Sequence, residues 1–174
     1  LRSNKFTAAF KTVDDLTRAM GNVAYYNQGR ILENIRINNI ADGYAINGWE
    51  SMMLENHSGI VDNYRNFKGS VNLIADYLRP LYVAVKIPQK VTSVGDTVKV
   101  DFFIVNEVNV NGTYALQIEV TDSLGSAYEL EFPVHVSGGT TYGELLKERV
   151  PVPVRHNGYT TVSARLLKGQ QTIA

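Results

Sequence analysis

Thr97-Val98-Lys99-Val100-Asp101-Phe102-Phe103-Ile104-Val105-Asn106-Glu107 decides how the second half of this chain folds. Val98, Val100, Phe102 and Ile104 hold every second position, with Lys99 and Asp101 between them. A strand turns successive side chains to opposite faces, so this alternation describes one dry face and one wet face. Phe103 and Val105 break the pattern by putting apolar groups on the face expected to be wet. The same period recurs downstream. Tyr114, Leu116, Ile118 and Val120 alternate with Gln117, Glu119 and Thr121, and Leu130, Phe132, Val134 and Val136 alternate with Glu129, Glu131 and His135. Pro133 has no amide hydrogen to donate, which assigns that last strand to a sheet edge or a bulge.

Turn sequences separate these runs: Val94-Gly95-Asp96, Val110-Asn111-Gly112, Ser123-Leu124-Gly125 and Ser137-Gly138-Gly139. Short strands at this spacing predict an antiparallel β-sandwich of immunoglobulin-like type. Asn157-Gly158-Tyr159 reads as a turn into a late strand carrying Thr160, Val162, Ala164 and Leu166, with Tyr159 in a tyrosine-corner role. Lys168-Gly169-Gln170-Gln171 reads as a final turn, and Thr172-Ile173-Ala174 as the start of one more strand, which leaves the sandwich truncated.

Upstream of about Pro88 the apolar period is three to four, so the expected division is residues 1–87 and 88–174. Thr12-Val13-Asp14-Asp15 has the Thr-x-x-acid form of a capping box. Leu16, Met20 and Val23, then Tyr26, Ile31, Leu32 and Ile35, continue an amphipathic helix to about Asn38, with Gly21 as its weak point. Tyr44-Ala45-Ile46, bracketed by Gly43 and Gly48, predicts a short buried strand. Ser70 begins a second helical stretch in which Leu73, Ile74, Tyr77 and Leu78 share a face, and Pro80 stops it. The fold class is α+β: helix, strand, loop and helix, then the sandwich.

Composition removes several classes of function. Lys plus Arg and Asp plus Glu are 17 each, so no global field draws the chain to nucleic acid or an acidic membrane. There is no cysteine, hence no disulfide framework and no thiolate metal site. No apolar run is long enough to span a bilayer. The chain opens Leu1-Arg2-Ser3, without an initiator Met or a charged start leading into an apolar core, and reads as a piece of something longer.

The chemistry-bearing residues gather after the predicted first strand. Trp49, Glu50, Glu55, Asn56, His57, Asp62 and Asn63 crowd into a polar loop with few core-forming neighbours, as in a binding mouth on a rigid scaffold. Trp49, the single tryptophan, is suited either to stack on the C–H face of a sugar or to cap a core. The six polar residues offer directional donors and acceptors for hydroxyl groups; the alternative is a surface loop that satisfies its own groups. His57 has no companion histidine, since His135 and His156 fall in the second half, so no histidine metal site is expected. Tyr64, Arg65, Phe67 and Lys68 mix aromatic and basic groups, but without a wider basic face they read as a packed loop edge. Gly138, Gly139 and Gly143 do not lead from a strand into a helix, so no phosphate-binding loop and no cofactor is expected.

Four runs carry a family resemblance: Asp42-Gly43-Tyr44-Ala45-Ile46-Asn47-Gly48-Trp49-Glu50; Glu55-Asn56-His57-Ser58-Gly59-Ile60-Val61-Asp62-Asn63-Tyr64-Arg65-Asn66-Phe67-Lys68-Gly69; Tyr77-Leu78-Arg79-Pro80-Leu81-Tyr82-Val83-Ala84-Val85-Lys86; and Gly95-Asp96 with Phe103-Ile104-Val105-Asn106-Glu107. From about Thr12 to Gln171 the chain resembles the end of the catalytic barrel, and the immunoglobulin-like domain after it, in glycoside hydrolase family 2. That is the β-galactosidase, β-glucuronidase and β-mannosidase superfamily. The resemblance implies an N-terminal helical fragment of a (β/α)8 barrel, with residues 43–48 as the eighth strand and residues 70–78 as the closing helix. It makes Trp49 the tryptophan that helps form the subsite around the cleaved sugar. The family's nucleophilic glutamate ends strand seven and its acid/base glutamate ends strand four, so both would precede Leu1.

Such enzymes retain anomeric configuration with two carboxyl groups ~5 Å apart, one attacking and one donating a proton. Glu50 and Glu55 share one loop and lack that opposed placement. The implied parent is a retaining hydrolase of β-linked glycosides, to which this segment adds structure and part of the mouth but no catalytic residue. The residues alone leave a second reading, a non-catalytic β-sandwich module for carbohydrate or protein binding. Without barrel partners, Tyr44, Ile46, Trp49, Met52 and Met53 are expected to pack on the sandwich, rearrange, or pair with a second copy through residues 43–48.

Overall fold

A computed structural model describes residues 5–41, 43–46, 48–50 and 59–174. The chain divides into two compact units, Leu1–Ile35 with Ile40–Arg79, and Arg36–Asn39 with Pro80–Ala174.

The second unit holds seven strands: β1 (Leu81–Lys86), β2 (Thr97–Asn106), β3 (Gly112–Asp122), β4 (Ala127–Val136), β5 (Gly143–Pro153), β6 (Thr160–Lys168) and β7 (Gln171–Thr172). All pair antiparallel, in one sheet of order β1-β2-β5 and another of order β4-β3-β6-β7. Val100, Phe102 and Ile104 of β2 and Val150 and Val152 of β5 share one buried cluster with Leu116, Ile118, Val120 and Leu166 of the other sheet. Two sheets closing on a common core make an antiparallel β-sandwich. The alternations read in residues 97–136 are its inward positions, and β4, which carries Pro133, lies at a sheet edge.

Phe103 and Val105 are explained by a second layer. Val105 is fully buried with Ile37, Tyr82 and Ala84, and Phe103 packs against that cluster. Ile37 belongs to the end of a helix, α1 (Val13–Asn38), whose last turn, Arg36–Asn39, is part of the sandwich unit. Asn39 there adopts a left-handed φ of 53°, and its side-chain oxygen accepts the Gly143 amide at 2.7 Å. The Arg36 guanidinium meets Glu107 at 2.8 Å and lies 5.5 Å from the centre of the Tyr82 ring.

Two expectations for this half need correction, and one strand was not foreseen. The boundary lies at Pro80 rather than near Pro88, because Leu81–Lys86 is a strand hydrogen-bonded to β2. β5 had no clean alternation to announce it, since Lys147, Glu148 and Arg149 interrupt the strand where its register with β2 shifts. Tyr159 is 89% exposed and plays no tyrosine-corner role. The expected short last strand is present: β7 pairs with β6 through Thr172 and Gln171.

In the first unit, α1 begins with the capping box. The Asp15 amide donates to Thr12 Oγ1 at 3.1 Å and the Thr12 amide to Asp15 Oδ2 at 3.0 Å, so two otherwise unpartnered amides are satisfied reciprocally. The helix buries a different face from the one its apolar residues suggest. Gly21, Tyr25, Gly29, Leu32 and Glu33 are buried, whereas Met20, Val23 and Ile31 are 58–60% exposed. Glycine is the reason: a Cβ on Gly29 would stand 2.1 Å from the Tyr77 ring, so close approach selected the small face.

The second helix is short, α2 (Asn72–Ala75) followed by a 3-10 turn at Asp76–Leu78, and it buries Ile74 while Leu73 and Leu78 stay exposed. Residues 43–46 form no strand, and Tyr44 and Ile46 are 42% and 39% exposed. A strand needs a neighbour for its amides and carbonyls, and none of the described residues supplies one there. The expected barrel strand is therefore absent from the described residues, with position 47 outside them. No described helix is long and apolar enough to cross a membrane.

Candidate functional site

Residues 59–69 are mounted on α1 by Tyr25. This fully buried side chain donates its hydroxyl hydrogen to the Ile60 carbonyl and accepts the Lys68 amide at 3.1 Å. Asn22, nearly one turn earlier, accepts the Ser70 amide at 2.7 Å. Tyr25, Leu32, Ile60, Val61 and Ile74, with Val71 against them, form the small core beneath. The Trp49 carbonyl receives the amides of Ile60 at 2.9 Å and Val61 at 3.1 Å. Single bridges then join Glu50 to Val61 and Val61 to Phe67, so three short segments lie side by side without becoming a sheet.

Beyond Val61 the chain makes a tight turn around Asp62. Its Oδ1 accepts the Tyr64 amide at 2.9 Å and the Asn66 amide at 2.8 Å, and its Oδ2 accepts the Asn66 side-chain amide at 3.3 Å. The Asn66 amide chiefly holds the Asp62 carboxyl below its ordinary value; desolvation opposes this, and the Asn66 side chain and Tyr64 amide reinforce it. Arg65 takes a left-handed φ of 64° in this turn and meets Glu50 at 2.9 Å. With Arg65 80% and Glu50 42% exposed, that pair orients two side chains and adds little stability.

The expected site residues therefore separate. Glu50 and Asp62 are engaged within the loop, as the self-satisfying alternative requires. Trp49 and Asn63 are exposed, Trp49 at 60%. Glu55, Asn56 and His57, with Met52 and Met53, lie outside the described residues. Tyr64 and Phe67, expected to pack, are 84% and 60% exposed. Lys68 is the half-buried member of that run, and desolvation lowers its amine from the usual lysine value. The turn itself went unread, although an Asp followed by two Asn within four residues is an Asx-turn signature.

The arrangement presents aromatic faces and a few polar groups on a fixed base. Asp62, a triple acceptor held ionised, has no proton to give near neutral pH. Among the described residues no three His, Asp or Glu side chains are grouped to hold a metal ion.

No family model matches this sequence. No curated protein matches it either. The solution structure of CsgH from R. palustris is similar at 16% identity over 53% of this chain and 87% of that one, with a TM-score of 0.33, too low to support any inference.

Proposed function

We propose that this chain is the C-terminal portion of a retaining β-glycosidase of the family 2 type. It comprises the end of the (β/α)8 barrel and the immunoglobulin-like domain after it. Trp49 and its loop contribute to the mouth that binds a β-linked glycoside, and the reacting carboxylates come from elsewhere in the parent protein. The observation that carries this reading is the single tryptophan, 60% exposed on a backbone position fixed by the Ile60 and Val61 amides. A rigidly based, solvent-facing indole is what stacking on a sugar ring needs.

Three features support the reading. The family-like runs at residues 42–50, 55–69 and 77–86 flank and include this loop. The strand orders β1-β2-β5 and β4-β3-β6-β7 suit an immunoglobulin-like connection. Exposed Met20, Val23, Ile31, Tyr44 and Ile46 are apolar surface of the kind that other barrel elements would cover. No cofactor enters this chemistry.

The test is hydrolysis of chromogenic β-glycosides by the parent polypeptide and by the 174-residue chain. The parent is expected to turn over at least one β-glycoside with retention, and Trp49→Ala to raise its KM. The chain alone is expected to show no turnover. Turnover by the chain alone, or inactivity of the parent on every β-glycoside, sinks the proposal. The exposed Tyr64 and Phe67 favour one second reading, a self-contained carbohydrate-binding module. Saturable change of Trp49 fluorescence when the chain alone is titrated with β-linked sugars would select it.

A further inference from the structure

We infer that Asn157 is a site of spontaneous deamidation, and that of the two Asn-Gly pairs in the sandwich, Asn111-Gly112 and Asn157-Gly158, the fold opens only the second to this change. Water is the sole co-reactant, and the product is aspartate or isoaspartate at position 157.

The reaction makes three demands on the chain. The residue after the asparagine must lack a Cβ, so that its main-chain nitrogen can approach the side chain. That nitrogen must not be held in a hydrogen bond, and the asparagine amide must be free to turn toward it. Asn157-Gly158 lies between β5 and β6, with both residues exposed. Among the described residues neither the Asn157 side chain nor the Gly158 amide has a hydrogen-bond partner. The Asn157 carbonyl alone is engaged, accepting the Ser123 hydroxyl at 3.0 Å. The turn also requires its glycine. Gly158 has a φ of 113°, and a Cβ on it would stand 2.3 Å from Ser123 Oγ.

Asn111-Gly112 has the same chemistry in a different setting. At the far end of the β3–β4 pairing the Asp122 amide donates to the Ser126 carbonyl at 3.1 Å. Hydrogen-bonded pairs recur at every second residue of an antiparallel ladder. Counting back along β3 by twos reaches Gly112 opposite Val136, so the Gly112 amide donates within the sheet. The Asn111 carbonyl accepts the Tyr114 hydroxyl at 2.8 Å, which holds the main chain just before it. A third pair, Asn47-Gly48, includes position 47, outside the described residues.

In the step itself the Gly158 nitrogen gives its proton to solvent and bonds to Asn157 Cγ, and the Cγ–Nδ2 bond breaks with loss of ammonia. Water then opens the cyclic imide at either carbonyl. Opening at Cγ gives aspartate. Opening at the former main-chain carbonyl gives isoaspartate, and the group that now accepts the Ser123 hydroxyl leaves the main chain as a free carboxylate. Either product lowers the formal net charge, zero at pH 7, by one. The new carboxylate enters the loop that holds His156 against Asp122 at 2.7 Å.

Incubation of the folded chain in mildly alkaline buffer, followed by peptide mapping with mass spectrometry, tests this. Conversion of amide to acid at position 157 is expected to run at least about tenfold faster than at position 111, because a hydrogen-bonded amide reacts only through local opening. In concentrated urea, where both pairs lose their setting, the two rates should converge. An unconverted Asn157 in the folded chain overturns the inference, as do equal rates at the two positions or faster conversion at Asn111. A difference that persists undiminished in urea overturns it too, since the fold would then not be its cause.

Discussion

Gly21 of α1 lies against the main chain at Lys68, where a Cβ would stand 2.0 Å from the Lys68 carbonyl oxygen. Gly69 answers it, since a Cβ there would be 2.5 Å from Asn22 Oδ1. Helix and loop approach this closely because both positions lack side chains, and the loop bearing Tyr64 and Phe67 is seated by that approach.

Gly21→Ala should therefore reverse the usual sign. In an ordinary helix interior the change stabilises by about 1 kcal/mol. Here the methyl group meets backbone that has no rotamer to yield, and a net loss of about 1–3 kcal/mol is expected. Urea unfolding followed through Trp49 fluorescence reads it, and unchanged or increased stability would refute the seating role.

Glu107→Ala should destabilise the sandwich. The Arg36 side chain is 3% exposed, with Nη2 at 2.8 Å and Nε at 2.9 Å from Glu107 Oε1, so removing the acid takes a carboxylate away from a buried cation. Glu107 is itself 36% exposed, which lets water replace part of the pairing, and a loss of about 1–3 kcal/mol is expected. Glu107→Gln, which keeps an acceptor oxygen, should lose less. Equal losses in chemical denaturation would mean that the charge is immaterial.

Ile37→Ala should cost about 2–4 kcal/mol in the cooperative unfolding of the sandwich. Ile37 is 5% exposed and buried with Tyr82, Ala84 and Val105, and a Cβ on Gly143 would stand 2.4 Å from its Cα, so the site has little room to collapse. Far-UV circular dichroism during a guanidinium titration measures this. A midpoint matching the wild type would show that the last turn of α1 is not integral to the unit.

Acid should loosen two turns. Asp62 is held below its usual value chiefly by the Asn66 amide, and Asp122 chiefly by the hydrogen bond to His156 at 2.7 Å. A carboxylate whose folded value is depressed contributes fully above the unfolded value of about 3.9, and that contribution fades as pH falls through the lower folded value. Stability should thus be insensitive to these groups at neutral pH and decline below about pH 4. Asp62→Asn should flatten the acid response of Trp49 fluorescence, and Asp122→Asn that of the sandwich melt; persistence of both responses would assign the acid sensitivity to other groups.

Much of the sandwich was legible because its signal is local. Period-two alternation at Val98 to Ile104 and Tyr114 to Val120 needs no knowledge of distant residues, and Pro133 announces an edge by its own chemistry. β1 was missed because all six of its residues are at least half-buried, which erases the alternation. The helix was legible in its start at Thr12 and its extent, but its buried face was misassigned, since a glycine face is invisible to a search for apolar periodicity. In the candidate site, the turn at Asp62 went unread although its Asx chemistry is local, and the exposure of Tyr64 and Phe67 could not be read, because exposure depends on what else packs nearby.

By itself the sequence determined the class of the chain: an amphipathic helix with a capping box, then antiparallel strands whose side chains alternate. These follow from backbone periods and from the donors each residue carries, which are properties of neighbouring residues. Only the tertiary structure decided that Leu81–Lys86 joins β2, that Ile37 covers Val105, that Gly21 and Gly29 mark the buried face of α1, and that residues 43–46 form no strand. Each depends on a partner distant in sequence. Burial and strand pairing are relations between surfaces, and a surface acquires its partner only when the chain has folded.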